Sequence, residues 1–462
     1  MKALAFLIPF VIGCYFISCR KYLDDKPNIK LAIPATLSDF QQLLDNPQMT
    51  DNSVPGAGDL GCDDYYLDYD KFQSLPPNRR NCYIWASDIW EGAPSSDWNA
   101  PYAIIYVANV VLESLNNDYI DNNANQDQLN AIRGHALFLR ATHHYYLQET
   151  FGQPYKPSSA NSDLGIPLKL TSNLANISFR SSVQAVFDQI IADLKSAAEL
   201  LPNETSIRSR PSKAAAFAML ARVYLTIQNY SKANEYANAS LQINNTLFDF
   251  NDLTDNQRNS ENPFSSYSPP NDFVEVLYPS YQIFYNVIGQ TTIGIDTVLI
   301  NSYDSNDLRR SVFYNKNTAA KIWYFKGYYS GTRTRPFVGP AVDEMYLIRA
   351  ECFARLNNID SAMDYLNALL TKRYVSDKFM PIDATDARDA LQRILLERRK
   401  ELVGRGVRWS DLRRLNQDAD FAVTLFRTLN SESYTLPPND KKYAYPIPDD
   451  EIRLSGIQQN PR

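Results

Sequence analysis

ARVYLTIQNYSKANEYANASL at residues 221–241 and AECFARLNNIDSAMDYLNALL at residues 350–370 align without a gap. Identical residues meet at matched places: Ala221 with Ala350, Asn229 with Asn358, Ala233 with Ala362, Tyr236 with Tyr365, Asn238 with Asn367 and Ala239 with Ala368, while Tyr224 corresponds to Phe353. Each copy reads as two helices around a short turn at Asn229-Tyr230 or Asn358-Ile359. Alanines allow the helices to cross closely, and the aromatic rings fill the space between them. One such pair cannot bury its apolar face alone, so neighbouring pairs must stack.

This is the logic of a tetratricopeptide repeat. Further amphipathic segments extend the scaffold. Residues 127–150 and 386–403 read as helices, as does 183–201 behind Ser181 or Ser182, with Val183, Val186, Phe187, Ile190, Ile191 and Leu194 at helical spacing. The expected fold is mainly α, a tetratricopeptide-like scaffold over about 98–245 and 340–415. Between the copies the chemistry changes to loops and turns: Asn262-Pro263-Phe264, Ser268-Pro269-Pro270 and Gly327-Tyr328-Tyr329-Ser330-Gly331. Lys321 to Lys326 has the character of a short strand. Residues 246–340 are read as a loop-rich lobe inserted into the helices, sharing one face with a second irregular stretch at 46–97.

The N-terminus carries a targeting signal. Lys2 is followed by an apolar run over residues 3–16 and by Phe16-Ile17-Ser18-Cys19, then the polar Arg20-Lys21. The run is shorter than the roughly 20 residues that span a bilayer, so residues 1–18 read as a signal peptide removed before Cys19. Two outcomes follow: a lipoprotein whose acylated, palmitate-bearing Cys19 anchors the mature chain at 19–462, or an ordinary signal peptide that leaves the cysteine unmodified. Each buried methylene of an acyl chain contributes about 0.8 kcal/mol, and stable anchoring takes more than one chain.

The 462 residues are 44% hydrophobic and 21% charged, ample for a large core, and the formal charge of −6 argues against nucleic acid as a partner. Beyond Cys14 and Cys19 only Cys62, Cys82 and Cys352 remain. Cys62 and Cys82 either pair outside the cytoplasm or lie as separate buried thiols.

Catalysis finds no support. His135, His143 and His144 lie on one expected helix without HExxH spacing, no GxSxG or phosphate-binding loop occurs, and no metal or cofactor is expected. Asp63-Asp64 with Asp68 and Asp70 reads as a solvated acidic loop, or as a calcium site. Glu397 to Leu415 alternates charge with apolar Leu395, Leu396 and Leu402, the pattern of a salt-bridged, half-buried helix with Trp409 as core.

Binding finds more support, because an aromatic ring lies flat on the apolar face of a sugar or a peptide side chain with few rotors to lose. The candidates are Tyr65, Tyr66, Trp85 and Trp90 from the first irregular stretch and Tyr281, Trp323, Tyr324 and Tyr328 from the second. Trp90 and Trp323 come first. For each ring the competing reading is packing in the core.

Several stretches together resemble the SusD/RagB family of nutrient-binding outer-membrane lipoproteins. They are Cys19-Arg20-Lys21-Tyr22-Leu23-Asp24-Asp25-Lys26-Pro27, Trp98-Asn99-Ala100-Pro101-Tyr102 with Ala108-Asn109-Val110-Val111-Leu112, and Gly134 to Ala141 with Phe151-Gly152-Gln153-Pro154-Tyr155. Glu344 to Glu351, Glu397 to Leu402 with Arg408 to Leu415, and Tyr445 to Ile452 complete the match. The resemblance places Trp98 at a helix start and sets it aside as a ligand contact. It implies a non-enzymatic surface lipoprotein, anchored through Cys19 to the outer membrane and facing the cell exterior. Such a protein captures an oligosaccharide, or a peptide, and passes it to a SusC-like TonB-dependent barrel. Two other classes compete: a repeat scaffold that binds a protein, and a surface glycoside hydrolase.

Overall fold

The structure, a computed structural model, describes residues 34, 36–116, 125–175, 179–267, 273–285, 287 and 289–462. The expected signal peptide and the expected anchor at Cys19 lie outside the described residues.

Helices follow one another as antiparallel neighbours: Ser96–Ser114 against Gln126–Phe151, then Val183–Leu200, Lys213–Thr226 and Tyr230–Ile243. The last packs on Val342–Arg355, which pairs with Ile359–Thr371 and touches Ala387–Glu401. The two aligned sequence copies are thereby neighbours in one array. Their turns are the same object. Gln228 and Asn357 sit at φ 61° and 60°, and the following Asn229 and Asn358 donate their backbone N–H to Tyr224 O and Phe353 O, both at 2.9 Å. The Asn229 and Asn358 side chains then accept from the N–H of Lys232 and Ser361, capping the second helix. The matched rings stack in each copy, Tyr224 on Tyr236 at 5.4 Å and Phe353 on Tyr365 at 5.7 Å. Ala233 and Ala362 beside them are fully buried.

The expected helices form where periodicity placed them. Ser182 rather than Ser181 caps Val183–Leu200, its hydroxyl accepting from Ala185 N–H. Among the described residues the strands make only two-stranded antiparallel ladders. Ile322–Phe325 pairs with Tyr314–Asn317, Lys316 opposite Trp323. Tyr65–Tyr66 pairs with Gly294–Ile295, and Tyr281 N–H and Ile283 N–H reach Thr50 O and Val54 O at 2.9 and 2.8 Å. The two irregular stretches are therefore hydrogen-bonded to each other.

The charged helix 387–401 sits deeper than its pattern suggests. Glu397, Arg398, Lys400 and Glu401 are all buried, because their partners arrive from elsewhere in the chain. Arg309 reaches Asp307, Glu397 and Glu401 at 2.7, 2.5 and 3.1 Å. Arg373 joins Glu401 to Glu275, both at 2.8 Å, and Arg414 binds Glu351 at 2.5 Å and Asp411 at 2.8 Å. This ionic hub, rather than a half-exposed stripe, ties the end of the helical array to the inserted lobe. Among the described residues no helix is long and apolar enough to cross a membrane.

Candidate functional site

Six of the eight candidate rings fill the interior. Trp85 is 1% exposed, and its indole N–H donates to Gly61 O at 3.0 Å. Trp90 is 3% exposed and donates to Pro446 O at 2.7 Å. Tyr65 donates to Leu60 O at 2.9 Å, Tyr324 to Glu261 at 2.6 Å, and Tyr328 packs edge-on against Phe325 at 4.7 Å. Tyr281 lies under the Arg335 guanidinium at 4.3 Å. Each polar edge that finds a backbone or carboxylate partner makes burial tolerable, so these rings serve as packing and offer a ligand no open face. Tyr66 is 38% exposed, and Trp323 is half-buried with Arg310 and Lys316 over its ring.

The other sequence signals are absorbed by the fold. Cys62 and Cys82 are separate, buried, free thiols. Asp63 binds Arg408 at 2.7 Å and Asp64 binds Arg399 at 3.1 Å, while Asp68 caps a short helix through Lys71 N–H at 2.7 Å. Burial works against the Asp63 charge, yet Arg408 holds its carboxyl well below the usual range. Asp63 and Asp64 are thus already neutralised by arginines, while Asp68 and Asp70 are exposed. Glu275, Asp343 and Glu401 also converge within 4.8 Å, but Arg373 and Arg405 bind them. Burial lowers His135 and His144 to about 3 and His143 to about 4, so all three are neutral core groups.

A groove of about 360 Å³ lies along the outer face of Ser96–Ser114. The inner face of this helix buries Ile104, Ile105, Ala108 and Val111. Outward, Asn99, Tyr102, Ala103 and Tyr106 recur at helical spacing and line the groove. Small Ala103 opens the floor between the two tyrosines. Trp98 backs the platform, 4.9 Å from the Tyr102 ring and 5.0 Å from Phe151.

The facing wall is the strap from Pro167 to Leu174, which side chains pin to the helix. Tyr102 Oη donates to Pro167 O at 2.8 Å. Asn109 Nδ2 donates to Lys169 O and Thr171 O at 3.0 and 3.2 Å. Its oxygen accepts from Arg140, itself held by Asp193 in a two-pronged pair at 2.7 and 2.8 Å. Glu113 takes the Ser172 N–H at 2.9 Å and also its hydroxyl. Lys169, Thr171, Asn173 and Leu174 line this side, and Glu451 from the last helix, Asp449–Ser455, joins them. Burial, with Glu451 adding to it, pushes the Tyr102 phenol well above its ordinary value, so it stays protonated and holds the strap.

Tyrosine faces, amides, a hydroxyl, one lysine and one carboxylate make a surface for binding a polyhydroxylated ligand. Among the described lining residues Glu451 is the one carboxylate. The sequence reading missed Asn99, Tyr102 and Tyr106. Their i, i+3, i+7 recurrence on a helix whose other face is apolar was a usable signal.

A helical-repeat array carrying a loop-built lobe is the fold of the SusD superfamily. A SusD superfamily protein from Bacteroides thetaiotaomicron superposes with a TM-score of 0.73 at 23% identity, covering 92% of this chain and 100% of that one. A surface glycan-binding protein A from Bacteroides fluxus superposes at 0.64 with 17% identity, covering 92% and 98%. A family model described as starch-binding associating with outer membrane matches residues 21–225, and the SusD family model matches residues 342–462. The chain belongs to the SusD/RagB family. SusD-like protein P2 of Formosa agariphila is 27% identical over 430 residues, 80% of each chain.

Proposed function

We propose that this chain is a surface lipoprotein that captures an extracellular oligosaccharide and hands it to a TonB-dependent outer-membrane transporter of the SusC type. The observation that carries the ligand class is the groove, where Tyr102 and Tyr106 present rings one helical turn apart beside Asn99, Thr171 and Asn173. A sugar's C–H face packs on a ring, and its hydroxyls bond the amides. The outer-membrane description of the matching family model and the glycan-binding relative point the same way. Acylation at Cys19 supplies the anchor, and the two-helix repeats offer a stiff face to the transporter. Capture requires no bond in the ligand to break.

The test is isothermal calorimetry of the full-length chain in detergent against neutral and acidic plant, host and microbial oligosaccharides and mixed peptides. Saturable binding to a glycan, weakened at least tenfold by Tyr106→Ala with the circular dichroism spectrum unchanged, is expected. Trp323→Ala and Tyr66→Ala measure whether those two rings add contacts. Binding that tolerates Tyr106→Ala moves the site away from the groove, and binding of peptides alone overturns the glycan reading.

A further inference from the structure

Glu451 differs from the other acids of its helix. Asp449 accepts the Gly92 N–H at 3.2 Å, and Asp450 accepts the Glu451 N–H at 3.0 Å. Glu451 is half-buried on the groove wall. Among the described residues its carboxylate has no hydrogen-bond or ion-pair partner. The Tyr102 phenol feels its charge, and more weakly that of Arg180, which lies off the groove wall and donates to the carbonyl oxygens of Gly165, Leu164 and Gln458. The carboxylate therefore stands beside the ring that forms the binding platform, and no described residue satisfies it. Lys169 lines the groove too, so the groove is neutral in sum. Selectivity is then decided by which charge adjoins the ring.

Resting on the glycan reading above, we infer that Glu451 makes the groove selective for neutral glycans over those bearing uronate or sulfate groups. An ionised carboxylate only accepts hydrogen bonds. Two neighbouring ring hydroxyls are matched donors, and their bonds to a charged acceptor are shorter and stronger than neutral ones. An anionic sugar on the same platform brings like charge against Glu451 in a half-dry groove, where water screens poorly. Asp449 and Asp450 in the same helical turn add to that field.

The experiment is calorimetry of the full-length protein and its Glu451→Gln variant in detergent. The neutral probes are malto-, cello-, xylo-, manno- and laminari-hexaoses. The acidic probes are oligogalacturonate and carrageenan oligosaccharides, and each series is run at about 50 and 300 mM salt, which shortens the screening length about 2.4-fold. Glu451→Gln is expected to weaken the best neutral ligand about tenfold, the loss of one charge-assisted pair of bonds. It should strengthen acidic ligands severalfold and abolish the gain in acidic binding that salt gives the unmodified protein. Tyr106→Ala serves as the groove control. If Tyr106→Ala abolishes glycan binding while Glu451→Gln leaves the neutral-to-acidic ratio unchanged, this inference falls and the capture function stands. A preference of the unmodified protein for acidic probes also overturns it. If no glycan binds, both fall together.

Discussion

At the residue scale, Trp90 and Tyr106 separate the two jobs an aromatic side chain can do. Trp90 is 3% exposed with its N–H bonded to Pro446 O, so truncation opens a cavity and orphans a carbonyl. Trp90→Ala should cost about 3–5 kcal/mol of stability, read from urea unfolding followed by tyrosine and tryptophan fluorescence. Tyr106 is 39% exposed on the groove. Its replacement by alanine should change stability by less than about 0.5 kcal/mol while weakening ligand binding. A reversal, with Trp90→Ala stable and Tyr106→Ala unfolded, would contradict the burial assigned to both. Trp90 precedes the Ser96–Ser114 helix and Tyr106 lies within it. Composition alone does not tell them apart.

At the element scale, the repeat turns and the ionic hub make different demands. Asn229 and Asn358 cap equivalent helices in equivalent geometry, so Asn229→Ala and Asn358→Ala should each cost about 1 kcal/mol in chemical denaturation. Unequal costs would indicate that the two copies are not energetically alike. The hub is less forgiving. Arg373 is fully buried between Glu275, Glu401 and Phe248 O, and removing it leaves two carboxylates in a dry interior. Arg373→Ala should cost about 3–5 kcal/mol, seen as a large fall in the thermal midpoint. Glu397 to Leu415 was legible as alternating charge on a helix. Its depth was not, because Arg309, Arg373 and Glu275 come from segments the alternation does not mention.

At the scale of the whole molecule, buried titratable groups shape stability against pH. Burial raises Asp97 to about 6 and Asp59 to about 7. These acids hold their proton more tightly when folded, so their stabilisation is complete below the ordinary carboxylate pKa and is lost as pH rises through 6–7. The three histidines behave in the opposite sense. Lowered to about 3 or 4, they stabilise above about 6.5 and progressively less as pH falls. Between about pH 4.5 and 6.5 the two sets oppose each other, and the thermal midpoint should stay nearly level. Below about pH 4 it should drop steeply, as Glu351, brought to about 2 by Arg414 despite its burial, and the arginine-held Asp63 lose their pairs. Differential scanning calorimetry from pH 3 to 8 checks the profile, and His143→Gln should tilt it toward greater relative stability at pH 5 than at pH 7. A midpoint that falls smoothly from pH 6.5 downward would mean the buried acids are not raised as described.

Much of the scaffold was readable in the chain itself. A helix is closed by hydrogen bonds four residues apart and its buried face recurs every 3.6 residues, so both repeat copies and the capped helices at 126–151, 183–200 and 387–401 announce themselves locally. The likeness of residues 221–241 to 350–370 determined that helix pairs stack, and the family motifs determined which fold they build. Which aromatic faces water was decided only by tertiary structure. Trp90 is fixed by a carbonyl 356 residues away, and the groove needs the 96–114 helix, the 167–174 strap and Glu451 brought together from three separate parts of the chain. Burial is a property of neighbours in space, and no periodicity along the chain encodes neighbours that distant.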